Sequence, residues 1–225
     1  MNRNKNFGLM VMREITAYFY YFLISSLLFF VSIGLPGAWL IFFESGLVNI
    51  VVIGFMFPGL AALVSCGMKY KESKDKIAFS TLKTFIEGYK KNFKDTIKYS
   101  FAYAGIILVI MFNITYYDGE MPVFMMIALV VLTMLSTLIV TYMMIVAAKF
   151  QFKIKDLFRV SLYCILVHFK TTVKITMLYV ALSFIFPWLG IASTLLFISP
   201  IIYFLIHVAY PVLEDVYELF IEKPE

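Results

Sequence analysis

Few residues in this chain could do chemistry. His168 and His207 are its two histidines, and Cys66 and Cys164 its two cysteines. A metal site needs several such ligands at close spacing, and no carboxylate accompanies either histidine in that way. The cysteines fall in apolar sequence with no Cys-x-x-Cys pair, which suits buried, inert thiols. The G-x-x-x-x-G-K-[S/T] phosphate cradle of an ATPase is missing. No serine, histidine and acid stand at the spacing of a catalytic motif. No catalytic, cofactor or metal residue is therefore assigned, and an enzyme is not expected.

What does recur is a basic stretch. Phe93-Lys94-Asp95-Thr96-Ile97-Lys98 and Phe169-Lys170-Thr171-Thr172-Val173-Lys174 share the pattern F-K-x-T-[I/V]-K. The register extends both ways: Lys83 lines up with Arg159, and Tyr103 with Tyr179. The chemistry open to such a stretch is contact with anions. The candidate partner or lipid contacts are Lys83, Lys90, Lys91, Lys94, Lys98, Arg159, Lys170 and Lys174. Each lysine near an anionic lipid surface contributes about 1 kcal/mol. The alternative is docking to an acidic cytoplasmic surface or beside a permease.

The elements that position these residues are set by composition. The 225 residues are 62% hydrophobic and 15% charged, against about 25% charged in ordinary soluble domains. Long uncharged runs recur, each able to cross a hydrocarbon core of about 30 Å. The runs are continuous rather than alternating, which excludes a transmembrane barrel. The expected fold is an all-α polytopic membrane protein forming a single integral membrane domain. It has about six transmembrane helices in three hairpins, with two amphipathic cytoplasmic elbow helices. Five transmembrane helices, with one long re-entrant segment, is the alternative.

In order, a polar lead (1–13) precedes a first helix from Ile15 to about Phe43. That run is too long for a signal peptide's apolar region. Gly34-Leu35-Pro36-Gly37 should kink or end it. Glu44-Ser45-Gly46 turns into a second helix, Leu47 to Met68, in which Pro58 and its small neighbours should let another helix approach. The first basic elbow covers 69–98. Its apolar residues Ile77, Leu82, Phe85, Ile86, Tyr89, Phe93 and Ile97 alternate with lysines, as in a helix lying in the headgroup plane. A third helix (99–116), a turn at Asp118–Pro122 and a fourth helix (123–148) follow. The second elbow, 149–174, is more apolar in its middle and should lie deeper. The fifth helix (175–188) is short unless the elbow continues into it. A turn at 190–194 and a sixth helix (195–212) lead to an acidic tail, 213–225.

Charge sets the direction. The lead holds three Lys/Arg, the first elbow nine, the second six and the tail one, which accounts for all nineteen. The other three loops hold only Glu44, Asp118 and Glu120. By the positive-inside rule both termini are cytoplasmic, and Trp39 and Trp188 sit at the external interface. The net charge of +5 hugs the ends of apolar runs, so anionic headgroups of the plasma membrane are its counter-charge and nucleic acid is not. No charged residue falls mid-helix, where ion-coupled carriers keep them. Asn113, Thr115, Ser136, Thr137, Thr141 and Ser183 are the polar candidates there, and packing accounts for them better than a substrate path.

Two stretches resemble a known family. Gly54-Phe55-Met56-Phe57-Pro58-Gly59-Leu60-Ala61-Ala62-Leu63 is similar to its G-x-x-P-a-x-x-A-L signature. Phe85-Ile86-Glu87-Gly88-Tyr89-Lys90-Lys91-Asn92-Phe93-Lys94 is similar to its F-x-x-(F/Y)-K-x-N-F-K signature. These are signatures of the YesL-like group of small bacterial membrane proteins, mostly Gram-positive. The group has no established activity, and its members often accompany polysaccharide-degradation and sugar ABC-importer systems. The resemblance thus implies a non-enzymatic accessory or scaffold role in carbohydrate uptake, with a sugar-importer component as partner. The E-A-A-x-x-x-G loop of an importer permease is absent, so the chain is not expected to be the permease. A small solute transporter or channel, with a path between the two elbow–helix units, is the alternative.

Overall fold

The computed structural model describes residues 3–42, 46–76, 79–117, 121–188 and 191–221. Every regular element among them is helical. The order is α1 (Arg3–Phe42), α2 (Gly46–Glu72), α3 (Thr81–Tyr117), α4 (Val123–Lys149), α5 (Ile154–Val167), α6 (Phe169–Ile185), a 3₁₀ turn (Phe186–Trp188) and α7 (Ile191–Phe220).

Among the described residues, four helices are long and apolar enough to cross a membrane, or five if the bent pair α5 and α6 is one span. Large apolar side chains stand outward along them, such as Phe112, Phe124 and Phe184, each about two-thirds exposed or more. Patches of that extent need lipid rather than water around them. The protein is an all-α polytopic membrane protein. Helix α2 lies at its centre. Its residues 46–68 carry no charge, and Ala61 to Met68 are buried without a break.

Close approach explains that burial. A Cβ on Gly59 would meet Ser32 Oγ of α1 at 2.5 Å, and one on Gly67 would meet Ile206 Cδ1 of α7 at 2.6 Å. One on Gly88 of α3 would meet Ser65 Cβ of α2 at 2.9 Å. Without a hydrophobic drive between helices inside lipid, small residues of this kind let dispersion contacts hold them together. The expected approach around Pro58 is therefore realised, with α1 packed against Gly59.

Three expectations change. The polar lead is already helical from Arg3, since extending a helix is far easier than nucleating one. Helix α1 also runs past residues 34–37 to Phe42. The side chains of 34–40, Trp39 included, lie outside the described residues, as do Glu44-Ser45, Ile77, 118–120 and 222–225.

The first elbow is not a separate helix. Thr81 to Tyr117 is one helix of 37 residues, and its first half packs lengthwise and antiparallel on α2. Cys66 Sγ donates to Thr81 O at 3.7 Å, Asn92 Nδ2 to Ser65 Oγ at 2.8 Å, and Ser100 Oγ to Gly54 O at 2.9 Å. Nothing between 81 and 117 breaks it, because no proline occurs there.

The second elbow does form its own helix. Between α5 and α6 the chain bends by 95° at His168 (φ −95°, ψ 49°). Helix α5 buries Leu157, Val160, Ser161, Cys164 and Ile165 on one face. Its outer face carries Lys155 and Arg159 beside exposed Phe158, Leu166 and Val167, as suits a helix set into the headgroup–acyl boundary. The elbow does not continue straight into the next helix. The 17 residues of α6 and the 3₁₀ turn together reach about 30 Å, one hydrocarbon thickness.

Candidate functional site

The doubled motif is a device for sorting faces. In a helix, residues four apart share a face and the residue midway between them points away. Lys94 and Lys98, and Lys170 and Lys174, are exposed. Thr96 and Thr172, midway between each pair, are 1% and 6% exposed. Each threonine meets a tyrosine: Tyr99 OH donates to Thr96 Oγ1 at 3.0 Å, and Tyr142 OH lies 3.1 Å from Thr172 Oγ1. The motif thus anchors its helix inward through Thr and presents lysines outward.

The first elbow has an inner face packed on α2, which a helix lying in the headgroup plane would not have. Of the elbow's apolar residues, Phe85 is buried, whereas Leu82 and Ile86 are exposed and Tyr89, Phe93 and Ile97 are half-buried. The buried stripe is Thr81, Thr84, Phe85, Gly88, Asn92, Thr96, Tyr99 and Ser100. Small and hydrogen-bonding residues face α2 because lipid, not water, competes for the apolar ones. Sequence reasoning missed this seam. The Thr midway between paired lysines was the signal that could have found it.

All eight candidate contact residues, Lys83 through Lys174, are exposed. Lys98 pairs with Asp95 at 3.4 Å and Arg159 with Asp156 at 3.9 Å, both on their own helix. Such exposed pairs contribute at most about 1 kcal/mol. Among the described residues, Lys83, Lys90, Lys91, Lys94, Lys170 and Lys174 show no acidic partner.

Next to them, the ends of α2, α4 and α7 are tied. Lys149 Nζ lies 3.4 Å from Glu72 Oε1, and Tyr210 OH donates to the same oxygen at 3.4 Å. Lys71 Nζ sits 3.9 Å above the Tyr210 ring. Burial lowers the Lys71 ammonium from its usual value, and Glu214 opposes that shift. Tyr21, midway along α1, stacks on Tyr70 at 4.0 Å. The start of α3 and the ends of α2, α4 and α7 therefore share one end of the bundle, level with the middle of α1, and that end is basic.

His168, at the bend, lies 3.5 Å from Asp215 Oδ2, near enough for an ion pair but not aligned as a hydrogen bond. Among the described residues, no group of three or more His, Cys, Asp or Glu is placed to hold a metal. Cys66 and Cys164 are fully buried. Burial pushes the Cys164 thiol up to about 12, so it carries essentially no thiolate at neutral pH.

The matched tyrosines clamp α4 from two sides. Tyr103 OH lies 3.0 Å from Thr137 Oγ1 and Tyr179 OH 2.6 Å from Thr141 Oγ1, one helical turn apart. Between α4 and α6 is a cavity of about 210 Å³ lined by Thr133, Thr137, Thr176, Tyr179 and Ser183 among others. Its hydroxyls are turned back on their own helices: Thr133 donates to Leu129 O, Thr137 to Thr133 O, Thr176 to Thr172 O and Ser183 to Val180 O. Hydroxyls committed in this way leave an apolar lining.

Fold and site together define a helical membrane protein with one basic, lysine-studded end. The family described as "Protein of unknown function, DUF624" has a model that matches residues 21–114. The match runs from α1 through most of α3, covers the first F-K-x-T-I-K copy and stops before the second. No curated protein and no solved structure matches the chain.

Proposed function

We propose that this is a non-enzymatic accessory or scaffold protein of the plasma membrane, related to the YesL-like group. In this reading the basic end faces the cytoplasm and receives a partner. One observation carries it: all eight candidate residues are exposed at that end, six without an acidic partner among the described residues, while no Asp, Glu, Lys or Arg among the described residues is buried. A sugar ABC-importer component as that partner follows from the resemblance, not from geometry.

Affinity purification in mild detergent tests it. A transport component should co-purify with the full chain, and neutralising Lys90, Lys91, Lys94 and Lys98 to Gln should cut its recovery about tenfold or more, given about 1 kcal/mol per lysine. Purification at full yield with no partner defeats the reading. Orientation is checked separately. A cysteine in place of Phe124 should label in intact cells with a membrane-impermeant maleimide. One in place of Lys90 or Lys170 should label only after permeabilisation, and the buried native thiols should give no background. Labelling of Lys90→Cys in intact cells reverses the topology.

The cavity between α4 and α6 favours one other reading, a small transporter or channel. Its committed hydroxyls argue against a polar path. Sustained solute flux in reconstituted vesicles would establish the transporter instead.

A further inference from the structure

A second opening lies between α3 and α4, and it is amphipathic. Its deeper part is a groove of about 330 Å³ walled by apolar side chains such as Ala102, Ile106, Ile139 and Met143. Its mouth is bordered by α5, which supplies Lys155 to the same lining as Lys98 of α3. On the other side of Tyr99, which lines both spaces, is a pocket of about 250 Å³ lined by Lys91, Asn92, Asp95, Thr96 and Gln151 among others. That is the room of about eight water molecules. Ala102 leaves space where a larger side chain would fill the groove. The groove is therefore open to the bilayer, and its charged end lies where helices leave the hydrocarbon.

We infer that this is a binding site for one anionic glycerophospholipid. An acyl chain lies in the α3–α4 groove. Its phosphate sits between Lys98 and Lys155, and the head reaches past Tyr99 toward Lys91 and Gln151. Charge complementarity selects this occupant. Asp95 holds Lys98 at 3.4 Å, but Lys91, Lys98 and Lys155 around a single carboxylate leave the mouth positive. A neutral helix of a partner or of a second copy would fill the groove and leave those ammonium groups unmatched. An anionic lipid satisfies both parts, since apolar burial and the lysine–phosphate attraction act on one molecule. The α5 elbow then has a role beyond surface attraction, because it supplies Lys155 to the groove's mouth. The inference rests on the reading that the basic end lies at a leaflet surface, but it requires no protein partner.

Native mass spectrometry of the full-length protein in mild detergent tests it, with phosphatidylglycerol or phosphatidylcholine added at graded concentration. One phosphatidylglycerol should bind ahead of the others and about tenfold more tightly than phosphatidylcholine. Lys98→Gln with Lys155→Gln should abolish that preference. Ala102→Phe, at an exposed position, should lower occupancy by both lipids because it fills the groove. Lys74→Gln with Lys153→Gln removes the same charge elsewhere and should leave the preference intact. An equal fall in that control, or a preference that survives loss of Lys98 and Lys155, means diffuse attraction and overturns the site. A dimer that excludes lipid overturns it too. Lost preference with partner capture intact fails this inference alone, whereas absent partner with preference intact fails only the accessory reading.

Discussion

Gly88→Val separates α3 from α2 and costs the protein about 3 kcal/mol or more, at the upper end of what overpacking does in a tight interior. A Cβ at this position would lie 2.9 Å from Ser65 Cβ and 3.4 Å from the Ala62 carbonyl oxygen. Neither obstacle is the mobile end of a long side chain, so the helices themselves must move. The strain falls on the seam that also holds Asn92 to Ser65 and Ser100 to Gly54. Cys66 reports on it directly, since its Sγ donates across the seam to Thr81 O. Heating the purified protein with a thiol-reactive dye should show Cys66 labelling several degrees lower in the valine variant. Gly105→Ala is the comparison, because a Cβ there meets nothing within 4 Å. Equal melting of Gly88→Val and the wild type would mean that α2 and α3 do not approach so closely.

The second large effect comes from exchanging neighbours within the motif. Thr96→Lys or Thr172→Lys places an ammonium at a site 1% or 6% exposed, with a tyrosine hydroxyl as its neighbour and no buried carboxylate among the described residues to pair with it. An unpaired buried charge of this kind costs several kcal/mol. Lys94→Thr and Lys170→Thr, on the exposed face, should change stability by less than about 0.5 kcal/mol. The double exchange Lys94→Thr with Thr96→Lys is the sharpest version, because it leaves composition and local hydropathy the same. Yield of monodisperse protein and its melting temperature in detergent should fall for every variant with lysine at 96 or 172. A stable double exchange would show that the two faces of α3 are not distinguished.

These two variants mark where sequence reasoning stopped. The doubled F-K-x-T-[I/V]-K pattern was visible, and its lysines were placed outward, where they are. Its threonines carried no assigned role, although both are buried and Thr172 ties α6 to Tyr142 of α4. From sequence the first elbow reads as a helix lying in the headgroup plane, so no face of it is assigned to another helix. In lipid, apolar residues gain little by turning inward, so Thr, Gly, Asn and Ser take the contact with α2 and Leu82 and Ile86 stand outside. Symmetry misled in the same place. Matched sequences suggested matched elbows, yet one copy lies inside a continuous α3 and the other starts α6 after a 95° bend. Neither motif contains the cause, since the bend falls at His168, before the second copy begins. The Tyr103 and Tyr179 clamps on α4 were matched in sequence, but their partners, Thr137 and Thr141, needed the fold.

What the sequence by itself determined is the class and which segments are basic. Long uncharged runs admit only helices in a bilayer, because every backbone amide must be satisfied within its own segment. Nineteen Lys and Arg are gathered into alternate segments between the apolar runs. Both properties are local or additive along the chain, so counting suffices. Tertiary structure alone decided which face of each basic segment is buried, that α2 is the central helix, and that Lys98 and Lys155 flank one apolar groove. Those depend on which side chains of different helices meet, from 15 residues apart at Cys66 and Thr81 upward, and one methyl group at Gly88 or one ammonium at Thr96 is enough to prevent the meeting.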